Sequence, residues 1–365
     1  MIKAVFITNI PSPYRVDFFV YLQEHYPEYE FHVIFSGAGM ENRKWSVELA
    51  ELKNAHFLKS KTVIIRKRFD DRYIFLPVGV EKTLQEIHPD LVFAMEYNPT
   101  ILRAVHWCQK KKIPFISWTD GTLNSEKNIG KVQRMSRSYI IKRAAAFVAS
   151  STASRQAQIA YGADEKKCFI SYLTVDIQKY LQKKTEYGGR ELLYVGSLIQ
   201  RKGLVFPALA QTREDICLMI VGEGQEKEAL MEQAKKLGIT SRIRFLGYVE
   251  GEPLRELYHN ADVFILPTRE DCFGLVILEA MCASLPVISS KYADGAFDLV
   301  QEGENGCIID PEDTAAFAAK IDQIFADEKR LAEMGQKSYE FAHAFSFQKV
   351  AKGCIDALHY VTGKA

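Results

Sequence analysis

The stretch from Asp262 to Ser289 constrains the fold of this chain more than any other. It opens with a short apolar run that stops at Pro267, as a buried strand does when it leaves a sheet. An acidic loop containing a glycine follows, and from Phe273 to Ala283 the apolar residues recur at helical spacing. A strand that passes through a loop into a helix is the repeating unit of a parallel α/β sheet, which binds ligands beyond the carboxyl ends of its strands. The stretch therefore predicts both a fold class and the edge of the sheet where a site should lie.

The same alternation continues along most of the 365 residues. Because single hydrophobic cores stop growing near about 250–300 residues, we expect two domains. The pattern breaks near Thr174 and resumes at 191–195, which predicts a first domain over 1–174, a second over 175–344 and an amphipathic last helix over 345–365. The predicted strands are 2–8, 30–35, 91–94, 114–117, 145–149, 168–171, 191–195, 216–221, 242–246, 262–266 and 286–289. The predicted helices between the strands of the first domain are 76–88, 99–111, 127–143 and 152–161.

Composition excludes several classes of protein. The chain has 47 Lys and Arg residues against 46 Asp and Glu, so neither a nucleic-acid-binding protein nor a disordered scaffold is favoured. No apolar run reaches the roughly 18–20 residues of a membrane span, and the first residues lack a signal-peptide pattern, so we expect a cytoplasmic protein. The seven cysteines are odd in number and scattered, which favours reduced thiols over a disulfide framework or a zinc site.

Two acids frame the loop and helix of the central stretch. Asp271 lies on the loop and Glu279 lies eight residues later, inside the helix, so the two could reach opposite ends of one bound molecule. The start of the helix offers free backbone N–H groups and a positive dipole end to an anion, and Gly274 would let a phosphate approach the backbone. The alternative is a solvated loop acid followed by a surface acid.

Two adjacent cations follow the strand at 191–195. Arg201 and Lys202 precede Gly203, at the carboxyl end of a predicted sheet. A pair of cations at that place suits a negative charge that grows on a leaving group. Alone this motif is weak, because such residues are common on protein surfaces.

Together these motifs resemble a known family. Asp271-Cys-Phe-Gly-Leu-Val-Ile-Leu-Glu279-Ala-Met, followed by Ala283-Ser-Leu-Pro-Val-Ile, resembles the signature of the family-4 retaining glycosyltransferases of GT-B fold. Gly196-Ser-Leu-Ile-Gln-Arg201-Lys202-Gly203, Val221-Gly222-Glu-Gly224 and Phe245-Leu-Gly247-Tyr-Val249 precede it in the order and spacing of that family. The family more often has Glu at the first acid; here Asp271 fills that position, with Glu270 beside it as a second candidate.

The resemblance implies an α/β protein of GT-B fold, with two Rossmann-like, doubly wound parallel-sheet domains facing a cleft and the carboxyl-terminal helix crossing back to the first domain. It implies transfer of a sugar, with retention, from a UDP- or GDP-linked donor to a hydroxyl acceptor such as a lipid-linked glycan, in cell-surface polysaccharide or glycolipid synthesis. No metal and no cofactor is implied, because Arg201, Lys202 and a helix amino terminus can neutralise the diphosphate.

The resemblance also implies roles for residues of the second domain. Arg201 and Lys202 would clamp the diphosphate, Asp271 or Glu270 would hold the transferred sugar, and Glu279 would accept bonds from the ribose. The backbone near Tyr248 would meet the base, and the amides of Gly274 and Leu275 would meet the phosphates. The implied donor-binding residues are Gly196, Arg201, Lys202, Gly222, Tyr248, Val249, Cys272, Phe273, Gly274, Leu275 and Glu279. The implied catalytic residues are Asp271, Glu270, Arg201, Lys202 and Asp120.

The first domain has polar clusters where its predicted strands end. These are Glu96-Tyr97-Asn98 and Trp118-Thr119-Asp120-Gly121-Thr122, and the loop after the first strand adds Ser12, Tyr14 and Arg15. Their place at strand ends puts Glu96, Tyr97 and Asn98 on the acceptor side, and the resemblance implies the same for Ser12, Tyr14 and Arg15. Many family members have His-Asp where this chain has Thr119-Asp120, which excludes a histidine contact here. The alternatives are that Asp120 caps a turn and that the first loop is a rigid turn.

A predicted helix from Glu126 to Arg143 is rich in positive charge. It contains Lys127, Lys131, Arg134, Arg137, Lys142 and Arg143, and an earlier loop contains Arg66-Lys67-Arg68. The interpretation is either a solvated face or a surface for peripheral contact with an anionic membrane.

Fold alone does not fix function. Two other hypotheses therefore stay open: a nucleotide-sugar epimerase or phosphorylase on the same fold, and a non-catalytic sugar-nucleotide binding protein.

Overall fold

The structure, a computed structural model, describes residues 1–39, 47, 49–65 and 72–363. They form two compact units. The first unit holds the described residues up to Asp176 and those from Phe347 onward, and the second holds Ile177–Ser346. The divisions fall after Asp176 and Ser346, where the sequence predicted them after 174 and 344.

Strands and helices alternate along both units. The strands in chain order are β1 (Ile2–Thr8), β2 (Tyr29–Phe35), β3 (Ala55–Phe57), β4 (Lys59–Ile65), β5 (Arg72–Val78), β6 (Leu91–Met95), β7 (Phe115–Thr119), β8 (Ala146–Ala149), β9 (Cys168–Ile170), β10 (Glu191–Val195), β11 (Cys217–Val221), β12 (Ile243–Gly247), β13 (Val263–Leu266), β14 (Val287–Ser290) and β15 (Gly306–Ile309). The helices are α1 (Pro13–His25), α2 (Val80–Ile87), α3 (Pro99–Lys111), α4 (Lys131–Ile141), α5 (Thr152–Ala160), α6 (Phe206–Leu209), α7 (Lys227–Lys236), α8 (Glu252–Asn260), α9 (Leu275–Cys282), α10 (Ala296–Leu299), α11 (Thr314–Phe325), α12 (Glu328–Ala342) and α13 (Phe347–Thr362).

The first unit is built on a parallel sheet in the order β3-β2-β1-β6-β7-β8-β9. The chain runs outward from β1 to β3 in one direction and from β6 to β9 in the other, so the order reverses between β1 and β6. Helices α1 and α13 supply buried side chains to one core cluster, and α2, α3 and α4 supply them to another. Because both faces are covered, the strands are continuous apolar runs, which is why their positions could be predicted.

The carboxyl-terminal helix α13 belongs to the first unit, as predicted. Its buried residues Val350, Ala351, Cys354 and Leu358 share a core cluster with residues of α1. Ser171, just after β9, donates its hydroxyl to the carbonyl of Val350 at 2.9 Å.

The second unit is a second doubly wound parallel sheet, in the order β12-β11-β10-β13-β14-β15. Its order reverses between β10 and β13. Helix α9 joins β13 to β14, and its apolar side Ile277, Leu278 and Met281 is fully buried. The strand, loop and helix expected between Asp262 and Ser289 are therefore present.

Two predicted helices have different bounds in the structure. The segment predicted as helix 76–88 begins as strand β5, pairs with β4 in an antiparallel hairpin, and becomes helical only at Val80. Gly79 separates the two elements with φ of 95°, a left-handed conformation that glycine adopts readily. Helix α4 begins at Lys131 instead of 127, because the chain turns before Gly130. Among the described residues, no helix combines the length and the apolar composition that crossing a bilayer requires.

Candidate functional site

Polar side chains of the second unit gather beyond the carboxyl ends of β10 and β13, where the strand order reverses. This is the place at which open α/β sheets leave a crevice for a ligand, because the connections on its two sides run to opposite faces. The loop after β10 contains Arg201 and Lys202 in a short 3₁₀ turn, and the loop after β13 contains Glu270 and Asp271.

Backbone contacts fasten these two loops together. The carbonyl of Arg201 accepts from the amide of Arg269 at 2.8 Å and from the hydroxyl of Thr268 at 3.1 Å. Gly203 lies so close to the other loop that a Cβ would stand 2.7 Å from the carbonyl oxygen of Pro267. Only glycine fits there, so the loops form one base for the side chains above them.

Both cations are directed at the loop after β13. The guanidinium of Arg201 donates to the carbonyl of Glu270 at 2.9 Å, and the ammonium of Lys202 forms an ion pair with Asp271. The side chains of Lys202 and Asp271 are 17% and 16% exposed, so solvent screens this pair only partly. The structure thus brings together four of the predicted residues: Arg201, Lys202, Glu270 and Asp271.

Asp271 also caps the loop that leads into α9. Its second carboxylate oxygen accepts from the amides of Phe273 at 3.2 Å and Gly274 at 3.1 Å. Burial opposes ionisation of this group, but the charge and hydrogen bond of Lys202, together with the charge of Arg201, hold the pKa of Asp271 below its ordinary value. Gly274 has φ of 79°, and a Cβ there would meet the side chain of Leu266 at 3.0 Å, so the position needs glycine. Leu275 is the first helical residue, and the N–H groups of a first turn have no acceptor within the helix.

Glu279 lies on α9 between two tyrosines. The buried hydroxyl of Tyr258, on α8, donates to its carboxylate at 2.7 Å, and Tyr180 forms a second hydrogen bond with it. Burial raises the pKa of Glu279, and these two hydrogen bonds oppose that rise. A carboxylate has about four acceptor positions, so room remains for hydroxyl groups of a ligand. Sequence reasoning missed both tyrosines; the buried position of Tyr258 within a helical pattern was a signal that its hydroxyl needs a partner.

The glycines after β10 and β11 have a packing role. A Cβ on Gly222 would stand 2.0 Å from the carbonyl oxygen of Gly196, so these two loops touch backbone to backbone. Tyr248 and Val249 follow β12 at the same edge, and the 41% exposed Tyr248 donates its hydroxyl to Glu250 at 2.6 Å. The side chain of Cys272 is partly buried and that of Phe273 is buried, so both side chains pack within the loop.

A second polar cluster lies in the first unit, at the carboxyl ends of β1, β6, β7 and β8. Arg15, in α1, donates from Nη2 to the two oxygens of Asp120 at 2.6 and 2.7 Å. Ser150 donates its hydroxyl to Asp120 and accepts from the indole N–H of Trp118 at 2.9 Å. Asp120 is therefore held by an ion pair and a hydroxyl. Ser150 was missed by sequence reasoning, although it is a polar residue directly after a buried strand.

Glu96 completes this cluster from the end of β6. Its carboxylate accepts from the amide of Asp120 at 3.0 Å and from the hydroxyl of Thr119 at 3.4 Å. Its backbone has φ of 74°, a left-handed conformation that costs a residue with a Cβ on the order of 1 kcal/mol or more. Burial and the nearby charge of Asp120 raise the pKa of Glu96 to about 7, although the Asp120 amide and the charge of Arg15 act against the rise.

The other residues expected on the acceptor side have structural roles in the first unit. Ser12 is buried, and its carbonyl accepts from the amides of Arg15 and Val16 at 3.0 Å, which starts α1. The guanidinium of Arg15 lies 5.7 Å from the ring centre of Tyr14. Asn98 caps α3 and donates to the side chain of Asn9 at 2.8 Å. Tyr97 packs its ring against the core clusters of the first unit.

The model of the family described as Glycosyl transferases group 1 matches residues 176–341. The second unit is therefore similar to group 1 glycosyltransferases, over a stretch that is less than half of the chain. The group 1 match includes every proposed donor-binding residue, from Gly196 to Glu279, and none of the first-unit cluster.

Curated relatives agree with the family match. The glycogen synthase of Mycobacterium tuberculosis is 27% identical over 249 residues, which cover 66% of this chain and 58% of that protein. The lipopolysaccharide core biosynthesis glycosyltransferase LpsE of Rhizobium meliloti is 32% identical over 152 residues, or 40% of this chain and 44% of that protein. The chain thus spans less than two thirds of the length of either relative.

A solved structure extends the likeness to the whole chain. The crystal structure of Anabaena HepE in complex with UDP and glucose superposes with a TM-score of 0.76, covering 98% of this chain and 99% of that one, at 20% identity. At that identity the likeness is one of fold. This chain has the GT-B architecture that the motifs predicted, with two Rossmann-like units.

The charged helix α4 of the first unit differs from its prediction. Arg137 is buried and forms an ion pair with Glu126, while its guanidinium carbon lies 4.8 Å from the ring centre of Tyr97. Arg137 therefore does not belong to a basic surface, because a charge run cannot tell a solvated cation from a paired one. Lys127, Lys131 and Arg134 are exposed, and so are Lys142 and Arg143 at the other end of α4. The Arg66-Lys67-Arg68 segment lies outside the described residues.

Exposed apolar residues accompany the remaining cations. Val132 and Met135 on α4 are 79% and 70% exposed, and Leu123, on the preceding loop, is also exposed. We name Leu123, Lys127, Lys131, Val132, Arg134 and Met135 the α4 patch. Large apolar side chains between cations are typical of a surface that meets the interface of a bilayer.

No metal centre is apparent in the part of the chain that the structure describes. There, no group of three or more His, Cys, Asp or Glu side chains is arranged to hold an ion. The charges available to a diphosphate at the β10–β13 edge are those of Arg201 and Lys202.

Proposed function

We propose that this protein transfers a sugar from a nucleotide-diphosphate sugar, UDP- or GDP-linked, to a hydroxyl group of an acceptor. In this reaction the bond from the anomeric carbon to the phosphate oxygen breaks and a bond to the acceptor oxygen forms. The acceptor hydroxyl loses its proton, and the nucleoside diphosphate leaves with the bonding electron pair.

One observation carries this proposal: Arg201 and Lys202 stand beside the amides that begin α9, on one rigid edge of the second sheet. Fixed cations and helix amides stabilise the charge that accumulates on a departing diphosphate, and they need no reorganisation when it forms. Lys202 and Arg201 act on the leaving group in this proposal, and the amides of Gly274 and Leu275 bind its oxygens.

The remaining donor contacts follow from the same edge. Glu279, fixed by Tyr258 and Tyr180, accepts bonds from the ribose, and Asp271, or Glu270 beside it, holds hydroxyls of the transferred sugar. The backbone near Tyr248 meets the base. These roles follow the motif order that the group 1 match supports, with Asp271 at the first acid position.

We assign the acceptor to the first unit. Glu96 and Asp120 place two carboxyl groups and one guanidinium where its strand order reverses, and such a set binds sugar hydroxyls well because it offers several acceptors in fixed positions. Retention at the anomeric carbon and independence of metal ions are part of the proposal. The first is suggested by the resemblance of the Asp271–Glu279 stretch to retaining glycosyltransferases and the second by the two cations.

We further propose that the acceptor is a lipid-linked glycan, used in cell-surface polysaccharide or glycolipid synthesis at the cytoplasmic face of a membrane. The α4 patch supports this, because each Lys or Arg near anionic lipid contributes about 1 kcal/mol and the exposed Val132 and Met135 can enter the headgroup region.

Incubation with labelled UDP- and GDP-sugars, with and without polyprenyl-linked saccharide acceptors, tests the proposal. Release of nucleotide that depends on acceptor, with the label moving to it, supports a transferase. Interconversion of donors would indicate an epimerase, and release that requires phosphate in place of a hydroxyl acceptor would indicate a phosphorylase. Binding without turnover would leave a sugar-nucleotide binding protein.

A further inference from the structure

The carboxylate of Asp271 occupies an anion site. One oxygen accepts from two consecutive amides of the loop just before α9, those of Phe273 and Gly274, and the other pairs with the ammonium of Lys202. Because Lys202 and Arg201 also hold its pKa below the ordinary value, Asp271 remains ionised throughout the neutral range.

The same groups are the ones that a donor diphosphate needs. An amide N–H has one proton, so the amide of Gly274 cannot serve a carboxylate and a phosphate oxygen at full strength together. An ammonium placed between a carboxylate and a diphosphate has its charge divided between them. Asp271 and a diphosphate therefore compete for Lys202 and the helix start.

The backbone of Asp271 does not need to move for this competition. Its amide donates to the carbonyl of Tyr292 at 3.0 Å and its carbonyl accepts from the amide of Asp294 at 2.9 Å, forming a β-bridge beside Ala293. Only rotation of a short side chain separates the capped position from a released one.

We propose that Asp271 fills the diphosphate position in the free protein and that the donor displaces it, so that the carboxylate reaches the transferred sugar only after the diphosphate is bound. This inference rests on the proposed function and describes how the same site is regulated. When the donor binds, Lys202 pairs with the diphosphate in place of Asp271. The carboxylate of Asp271 leaves the amides of Phe273 and Gly274 and accepts from hydroxyls of the sugar. Recognition of the sugar thereby depends on recognition of the diphosphate.

The length of the Asp271 side chain is what permits the exchange. Aspartate is among the best residues for accepting from the amides two and three positions later, and glutamate, longer by one methylene, is a poor cap. The departure from the family's usual glutamate at this position thus gives this chain a self-occupied anion site. Asp271→Glu keeps the charge and the capacity to bind a sugar, but it weakens the cap.

Calorimetric titration with UDP, GDP and inorganic pyrophosphate tests the exchange. In Asp271→Glu we expect the best-bound of these ligands to bind about threefold tighter than in wild type, and in Asp271→Asn about tenfold tighter, since each variant removes part of the competitor. Glu270→Gln is the matched control: it removes the same charge one residue away, and we expect a smaller gain than in Asp271→Asn.

Thermal unfolding supplies a second measurement on the same proteins. Without ligand, Asp271→Glu should melt below wild type because the cap is weaker, and saturating ligand should narrow that difference, because wild type then gives up its own cap.

The outcomes separate this inference from the proposed function. Wild type could bind a nucleoside diphosphate while Asp271→Glu and Asp271→Asn bind it equally well or more weakly. That result would show that Asp271 does not compete with the diphosphate, and it would leave the proposed donor site unaffected. Affinity for the ligand could also rise equally in Glu270→Gln and Asp271→Asn and not at all in Asp271→Glu. That result would show that only the loss of negative charge near the site matters, and it would also overturn the exchange. If neither wild type nor any variant binds these ligands, both proposals fail.

Discussion

Arg15 holds Asp120 through one nitrogen that lies 2.6 Å and 2.7 Å from the two carboxylate oxygens. The guanidinium also lies 5.4 Å from the ring centre of Trp118, and only 8% of the Arg15 side chain is exposed. The charge of Asp120 in turn acts on its neighbour Glu96 and, after burial, is the largest cause that raises the pKa of Glu96.

The pH dependence of stability should reveal the proton on Glu96. Its pKa in the folded protein is about 7, against about 4.3 in an unfolded chain. At pH values between these two pKa values, Glu96 is ionised in the unfolded chain but still protonated in the folded protein. The contribution of Glu96 to stability therefore falls as the pH rises from about 4.3 to about 7. Urea unfolding of wild type and Glu96→Gln should show wild type losing on the order of 2 kcal/mol relative to the variant between pH 4.5 and pH 7.5.

The groups that face Glu96 provide the control for that experiment. Asp120 and Glu126 raise its pKa and Arg15 lowers it. Asp120→Asn should shift the window downward, since it removes the largest charge effect after burial. A difference between wild type and Glu96→Gln that stays constant across the window would show that Glu96 ionises normally.

Removing the Lys202 ammonium should affect turnover most. Lys202→Ala should lower the rate of sugar transfer by about two orders of magnitude or more with the fold intact, because it removes a principal stabiliser of the departing diphosphate. Lys291→Ala is a suitable control, since Lys291 is also a cation of the second unit paired with an acid, Asp310, and is more exposed. Near wild-type turnover in Lys202→Ala would remove this residue from the mechanism.

Glu279 and Asp271 should differ in the kinetic parameter they control. The ribose is bound alike before and during reaction, so Glu279→Gln should weaken donor binding by about tenfold with little change in kcat. The sugar ring becomes cation-like as its bond to phosphate breaks, so Asp271→Asn should lower kcat even where nucleotide binding improves. Single-turnover rates beside calorimetry would separate the two. Loss of turnover in Glu270→Gln with Asp271→Asn unharmed would assign the sugar contact to Glu270.

The α4 patch should bind anionic vesicles at low salt. Reversing the charges of Lys127, Lys131 and Arg134 should release the protein from phosphatidylglycerol vesicles in a sedimentation assay and leave donor hydrolysis unchanged. Reversal of three other exposed cations on this unit, Lys82, Lys110 and Lys111, is the matched control and should change binding less. If the wild-type protein does not bind such vesicles at low salt, the α4 patch is a solvated face.

The sequence was most informative where one physical constraint acts along a continuous segment. Strands β10 and β13 are apolar because both faces of the sheet are buried, and α9 shows helical spacing because one side packs on that sheet. The hairpin of β4 and β5 was missed for the opposite reason. The side chains of β4 are mostly exposed, so the strand lacks the long apolar run of a buried strand, and Leu76 and Val78 of β5 were counted toward a helix.

Contacts between residues far apart in the chain could not be predicted from the sequence. Arg15 and Asp120 were both singled out, but they are 105 positions apart and nothing in the pattern pairs them. Arg137 looked like one more surface cation, and only the structure shows its buried partner Glu126. Backbone conformation was likewise hidden, since a positive φ at Glu96 has no signal in residue type, unlike that at Gly274.

The position of α13 has a consequence for synthesis of the chain on the ribosome. Residues from Phe347 onward complete the core of the first unit, yet they emerge only after the whole second unit has been made. Until then, apolar side chains such as Phe19 and Leu22, which share a core cluster with α13, lack that cover. The second unit is contiguous in sequence and can fold as it emerges, whereas the first unit must wait as an incomplete intermediate with exposed apolar surface. A chain cut before Phe347 should therefore aggregate through its first unit, and a chaperone that protects the nascent protein should be needed there.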